Sequence, residues 1–178
     1  MSTDSPIIEA RRARLTDQAA APLLAGLLHE YTTRYGPKAA AEFERHPAEV
    51  FAPEVGGAVV LLVEEEETVA GGALRRFEPE PESTVWLAAD PDALPTAEFK
   101  RIWTHPDRRR RGLARRVLTE LEDAASEAGY RRIFLTTGPR QPEAVALYLA
   151  AGYTELSDPG AAGRGYPVHP FVKTLDPR

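Results

Sequence analysis

The period of the apolar positions changes several times along the chain, and each change predicts an element. Ala58–Glu64, AVVLLVE, is continuously apolar, which suits a short buried strand. Glu65-Glu66 reads as a hairpin turn, and the acidic run Glu64–Glu67 as a solvated turn, with a cation-binding patch as the alternative. Thr68–Phe77 returns as the next strand, with Gly71-Gly72 in its middle; paired glycines inside a strand indicate a bulge or a close backbone approach. Ahead of this hairpin, Met1–Pro6 is polar and reads as a frayed end, and Ile7–Leu15 as a first strand. Leu23, Leu24, Leu27, Leu28 and Tyr31 form one face of a helix over Gln18–Arg34, with Thr16-Asp17 resembling an N-cap and Gly36-Pro37 a stop. Ala39–Arg45 reads as a short second helix.

The second half is organised around one stretch, Ala97–Glu122. Ala97–Thr104 reads as a strand carrying the bulky residues Phe99, Ile102 and Trp103, and His105-Pro106-Asp107 ends it, since Pro has no N–H for a ladder. Leu113, Val117, Leu118, Leu121, Ala125 and Ala128 then recur at helical spacing up to Gly129, a C′ glycine. Arg131–Thr137 is the next strand, so strand, helix and strand make a βαβ unit with parallel strands. Gly138-Pro139-Arg140 reads as a loop. A helix over Gln141–Ala151 follows, with Pro142 at N1, Gly152 at C′ and Ala144, Leu147, Tyr148 and Ala151 on one stripe. Tyr153–Leu156 and Pro170–Leu175 read as strands around a flexible loop, Asp158–Gly165. Glu78–Pro95, rich in Pro, Glu and Asp, reads as a surface insert; within it Ser83–Leu87 fits an extra strand and a disordered segment equally. There is no internal repeat.

Composition narrows the class. With 178 residues, 43% hydrophobic and 28% charged, the chain fits one soluble globular domain, residues 1–178. Neither a secretory apolar segment nor an apolar run long enough to span a bilayer is present, so the expectation is a cytoplasmic protein with no membrane partner. Cys is absent, which removes disulfides, thiolate metal sites and a Cys nucleophile. The four histidines have no metal-binding spacing, and no metal is expected. The net charge of −5 argues against general nucleic-acid binding. Yet Lys100–Arg116 carries eight Lys or Arg against one Asp, a basic site suited to a small polyanion.

That basic run, Arg108-Arg109-Arg110-Arg111-Gly112-Leu113-Ala114, opens directly into the helix. A helix start carries unpaired N–H groups and partial positive charge, and no Ser, Thr, Asp or Asn immediately precedes this one to cap them. Gly112 lets the backbone approach a ligand and Ala114 keeps the next turn open. A phosphate or diphosphate fits this arrangement. A plain basic run at a solvated helix start fits it as well.

Arg109-x-x-Gly112-x-Ala114 resembles the (Gln/Arg)-x-x-Gly-x-(Gly/Ala) motif of the GNAT (Gcn5-related N-acetyltransferase) superfamily. Gln141-x-x-Ala144-x-x-Leu147-Tyr148-x-x-x-Gly152-Tyr153 is similar to that family's N-x-x-A-x-x-L-Y-x-x-x-G-(F/Y), with Gln141 in place of Asn. The element order matches from about Ile7 to Leu175. The resemblance implies an α/β (α+β) fold: a mixed, twisted sheet with splayed parallel central strands and helices on both faces. It implies acetyl-CoA as co-substrate. Backbone groups of Ile102, Trp103 and Thr104 would pair with pantetheine. Arg109 belongs to the motif, the N–H groups of Arg110, Arg111, Gly112, Leu113, Ala114 and Arg115 would hold the diphosphate, and Gln141 would contact the cofactor.

The implied reaction is direct attack of a neutral amine on the acetyl thioester. A Lys-type amine has a pKa of about 10.4 and an α-amine about 8, so a base is useful, and the leaving thiolate gains from a proton donor. The family pattern points to Tyr148 as the acid and Glu98 as the base, with plain core packing and a solvent-facing carboxylate as the alternatives. Strict alternation would put Glu98, Lys100 and Ile102 on one face and Phe99, Arg101 and Trp103 on the other; a bulge would break it. Glu30, Tyr31 and Tyr35 are weak candidates for the acceptor pocket, and Tyr166 and His169 weaker ones. The expected acceptor is a small-molecule amine, with a protein N-terminus or lysine as the alternative. A CoA-binding sensor without turnover is the alternative of another class. A monomer or a homodimer fits equally.

Overall fold

A computed structural model of the chain describes residues 6–41, 45–79, 94–158 and 167–176. Its centre is a seven-stranded sheet of order β1-β2-β3-β4-β5-β7-β6. The strands are β1 (Ile8–Ala13), β2 (Ala58–Glu64), β3 (Glu67–Arg76), β4 (Thr96–Thr104), β5 (Arg132–Thr137), β6 (Thr154–Glu155) and β7 (His169–Thr174). The helices are α1 (Ala21–Tyr35), α2 (Leu113–Glu127) and α3 (Pro142–Ala150). Every pairing is antiparallel except β4–β5, the two strands joined by α2.

The core lies in two layers on either side of the sheet. Val60 and Leu62 of β2 meet Val117, Leu118 and Leu121 of α2 on one face, where Tyr148 of α3 also packs. Val59, Leu61 and Val63 meet Leu23 and Leu27 of α1 on the other. The apolar run thus feeds both layers, as a strand covered on both faces must. Gly71 and Gly72 let the helices approach. A Cβ on Gly71 would lie 2.6 Å from Leu23 Cδ1, and one on Gly72 2.9 Å from Leu121 Cδ1.

Several boundaries move. The first helix begins as a 3-10 turn, Gln18–Ala20, before α1. Asp17 does not cap it; its carboxylate accepts instead from the Arg14 N–H at 2.7 Å. A 3-10 turn, Pro37–Ala40, leads into a helical residue at Ala41, and residues 42–44 of the predicted second helix lie outside the described residues. The hairpin turn at Glu65-Glu66 is present, with positive φ at both residues. The Ser83–Leu87 segment and Tyr166 lie outside the described residues.

The bulge sits on β4. Gly71 pairs with Trp103 but Ala73 with Lys100, so β4 holds one residue more than β3 across this step, and Arg101 takes φ +59. Strict alternation therefore fails. Phe99 and Ile102 join the α2 layer, Trp103 joins the α1 layer, and the Arg101 guanidinium lies over Phe51 of the α1 layer. Arg101 and Lys100 consequently share the α1 side with Glu98.

Candidate active site

The central parallel pair is only partly zipped. Thr96, Ala97 and Glu98 pair with Arg132, Ile133 and Phe134, and the ladder stops there. Beyond Glu98 the edge of β4 that faces β5 has no strand partner among the described residues, and a cavity of about 1270 Å³ opens between the two strands. Pockets for small ligands typically measure about 300–1,000 Å³, so this one has room for a large cofactor together with a second reactant. Ile102, Trp103 and Thr104 line it along β4, and Thr104 Oγ1 is buried without a hydrogen-bond partner.

At one end the cavity reaches the start of α2. Gly112 is the N-cap, in the left-handed region at φ +74, and no side chain caps the helix. No acidic residue occupies the first turn, so the N–H groups there keep their full positive field. A Cβ on Gly112 would meet nothing within 4 Å, so the space above the loop is open. Arg109, Arg110, Leu113, Ala114 and Arg115 line this end.

The four consecutive arginines divide. Arg111 does not line the cavity. Its guanidinium grips Glu64 at 2.6 and 3.2 Å, and Arg108 Nε donates to the same carboxylate at 2.7 Å. Glu64 is only 4% exposed, and hydrogen bonds from Arg111 and then Arg108 hold its carboxyl below the usual range against the opposing effect of burial. The run Glu64–Glu67 reads as a solvated acidic turn in sequence; in the fold its first residue is the anchor of the basic loop. No local signal marks this, because both partners lie more than forty residues away. The Arg111 side chain is thereby turned away, and the cofactor contact expected of this residue is through its backbone N–H.

α1 and α3 frame the cavity mouth. Glu30 pairs with Arg34 at 2.7 Å and reaches Arg109 at 3.5 Å. Arg34 also pairs with Glu143 and donates to the Arg140 carbonyl at 2.7 Å. The Tyr35 hydroxyl accepts from the Arg140 N–H at 3.3 Å and leaves no room for a Cβ on Gly138. Tyr31 stands edge-on to Tyr35. Gln141 Oε1 accepts from Thr137 Oγ1 at 2.9 Å and from the Gly138 N–H at 3.2 Å, so its carbonyl fixes the turn. Glu30, Tyr31, Tyr35 and Gln141 all line the cavity.

Tyr148 projects from α3 into the core beside Tyr153 and Phe171, and it also lines the cavity. It is 6% exposed; burial first, and then nearby Tyr31, raises its pKa above the usual 10.0. The phenol stays protonated at neutral pH and so keeps a proton to donate. Glu98 lies at the point where the strands part, 5% exposed, with Arg75 Nη2 at 2.5 Å and Lys100 Nζ at 3.0 Å. It is therefore a doubly paired carboxylate rather than a solvent-facing one. His169 is engaged with Glu155 at 2.7 Å and does not line the cavity. No group of His, Asp or Glu suited to a metal occurs among the described residues.

The acetyltransferase (GNAT) family matches residues 24–153, and the chain belongs to that family. It is by that membership an acyl-CoA N-acyltransferase; enzymes of this family use acetyl-CoA as co-substrate. No curated protein matches the chain. Among solved structures, the fold is similar to an acetyltransferase from Streptococcus agalactiae, at 18% identity and a TM-score of 0.68, covering 94% of this chain and 98% of that one. An acetyltransferase from Thermus thermophilus gives 21% identity and a TM-score of 0.64, covering 96% and 100%. N-acetylglutamate synthase from Neisseria gonorrhoeae, complexed with coenzyme A and N-acetyl-glutamate, gives 16% and 0.63, covering 97% of this chain and 36% of that one. Among the described residues, no helix is long and apolar enough to cross a membrane.

Proposed function

We propose that this chain, acting as one domain, transfers the acetyl group of acetyl-CoA to the primary amine of a small molecule. The observation that carries the reading is the cavity that joins the parted β4–β5 edge to the uncapped start of α2. Two features of that cavity fit acetyl-CoA. The open space above Gly112, beside Arg110 and Arg115, suits a diphosphate, and the unpaired edge of β4 with the orphaned Thr104 hydroxyl suits an amide-bearing arm.

In this reading, N–H groups from Arg110 to Arg115 bind the diphosphate, and Ile102, Trp103 and Thr104 align the pantetheine. The cofactor supplies the activated acyl thioester. The lone pair of the neutral amine forms the new C–N bond, the C–S bond breaks, the thiolate takes a proton from the Tyr148 hydroxyl, and the proton released by the nitrogen passes through solvent to restore the phenol. Glu98 pairs with both Arg75 and Lys100, and these two cations favour a positioning role over proton abstraction. Glu30, Tyr31 and Tyr35 form the wall on the acceptor side.

Incubation with acetyl-CoA and a panel of small amines and peptides, followed by thiol release and mass spectrometry of the products, tests the proposal. Acetylated small amines are expected. Preference for peptides would move the assignment to protein acetylation. Tight CoA binding without thiol release would make the chain a sensor.

A further inference from the structure

Two halves of the molecule meet at the central parallel pair. One half is β1 to β4 with α1 and α2; the other is β5, β7, β6 and α3. The ladder between them holds only Thr96–Glu98 against Arg132–Phe134. Strands joined at one end and parted at the other have no ladder to fix the width of the gap, and such a junction can hinge. The reacting groups of the reading above lie on opposite sides of that gap. Ile102, Trp103, Thr104 and the Gly112 turn belong to the β4 half. Tyr148 belongs to the β5 half, where it packs on Phe171 of β7.

On the α1 face the open end is crossed by a reciprocal set of bonds centred on Arg34. Its Nη1 donates to the Arg140 carbonyl at 2.7 Å, and Arg140 Nη1 donates back to the Arg34 carbonyl at 2.7 Å. Arg34 Nη2 pairs with Glu143 in the first turn of α3, and with Glu30 one turn earlier on α1 at 2.7 Å. The Tyr35 hydroxyl accepts from the Arg140 N–H and sits so close to Gly138 that a Cβ there would lie 2.1 Å from it. Neither Arg34 nor Arg140 lines the cavity. Both act on the elements that do, through Glu30 and Tyr35 on α1 and Gly138, Gln141 and Glu143 around the start of α3. Among the described residues of α3, Tyr148 alone is buried, and Leu149 beside it is 52% exposed, so this helix has little apolar packing of its own to fix its place.

We infer that Arg34 is a positioning residue for the transfer: it braces α1 against the turn before α3, sets the gap between the parted strands, and so aligns the Tyr148 hydroxyl with a thioester held on β4. This rests on the acetyltransferase reading above. A guanidinium suits the role because its planar fork meets Glu30, Glu143 and a carbonyl at once, with a fixed geometry that a Lys ammonium on a flexible stem lacks.

The test uses the whole chain and the variants Arg34→Gln, Arg34→Lys and Arg140→Gln, the last removing only the return bond. Because the chain has no Cys, spin labels on Thr119→Cys in α2 and Leu149→Cys in α3, both exposed, report the gap without competing sites. Pulsed electron paramagnetic resonance should give one narrow distance when Arg34 is present and a longer or broader distribution in Arg34→Gln. Thiol release is followed with acetyl-CoA and each small amine that the wild type acetylates. Arg34→Gln should lower kcat by roughly 10- to 100-fold, as expected of a misplacement of up to about 1 Å, while acetyl-CoA affinity changes little. Arg34→Lys and Arg140→Gln should fall between it and the wild type, and they carry the comparison if Arg34→Gln does not fold. In a Tyr148→Phe background Arg34→Gln should cost little further, because the donor that it aligns is gone. An unchanged distance distribution, an unchanged kcat, or an equal loss in the Tyr148→Phe background would overturn the inference. If the wild type releases no thiol with any amine, the transferase reading falls, and the label distances alone decide whether Arg34 sets the gap.

Discussion

Arg111 Nη2 lies 2.6 Å from Glu64 Oε1, joining the loop before α2 to the end of β2 from behind. With Arg108 on the same carboxylate, this turns two of the four arginines away from the cavity and leaves the loop's backbone to face it. Glu64 is thus a positioning residue for the phosphate-binding turn.

Glu64→Gln should weaken acetyl-CoA binding by about tenfold or more, the worth of one charge-assisted hydrogen bond, as read by calorimetry. Its carboxyl is depressed in the folded chain, first by Arg111. The folded state therefore binds fewer protons there than the unfolded state. The stabilisation is complete above the unfolded value of about 4.3 and is lost as pH falls through the folded value. The acid limb of the wild-type melting profile should be shallower in Glu64→Gln; an identical limb removes Glu64 as its source.

Tyr148→Phe should lower kcat by about 10²–10⁴-fold while acetyl-CoA affinity changes little, since the ring and its packing are kept. Burial raises the phenol's pKa, so no loss of rate from its ionisation should appear near neutral pH. Unchanged turnover on a working acceptor would leave Tyr148 a core residue only.

Glu98→Gln should destabilise the fold by roughly 3–5 kcal/mol, because it strands Arg75 and Lys100. Its rate deficit should be constant with pH and weighted toward KM for the amine. A kcat deficit that shrinks toward the pKa of the amine would instead identify Glu98 as the base.

Gly26→Ala should cost about 1–3 kcal/mol in a melting experiment, since the added Cβ runs into the Trp103 indole and pushes α1 off β4. Wild-type stability would mean that α1 does not sit on β4 as described.

Elements whose signal is local were readable in advance. The run Ala58–Glu64 is a strand, the Gln141–Ala151 stripe is a helix between Pro142 and Gly152, and the β4–α2–β5 order implied the parallel pair. The uncapped start of α2 also followed from the residues before it. Facts that depend on long-range geometry did not. Gly71-Gly72 hinted at a bulge, but its placement at Arg101 comes from pairing across strands, and it reverses the expected side of Arg101 and Trp103. Glu64 looked like one of several solvated acids because its partners are distant in sequence. Nor does the spacing around Glu98 reveal Arg75, which meets it only through the β3–β4 register.

The central claim, that the turn at Gly112 and the parted edge of β4 hold acetyl-CoA, is tested most directly by calorimetric titration of acetyl-CoA into the wild type and Gly112→Glu. The substitution adds a carboxylate to the open space above the loop. Thermal melting of the variant confirms that it is folded, since any side chain at φ +74 carries some backbone strain. The account predicts saturable binding to the wild type and none detectable to the folded variant. Equal affinity in the two proteins would contradict it.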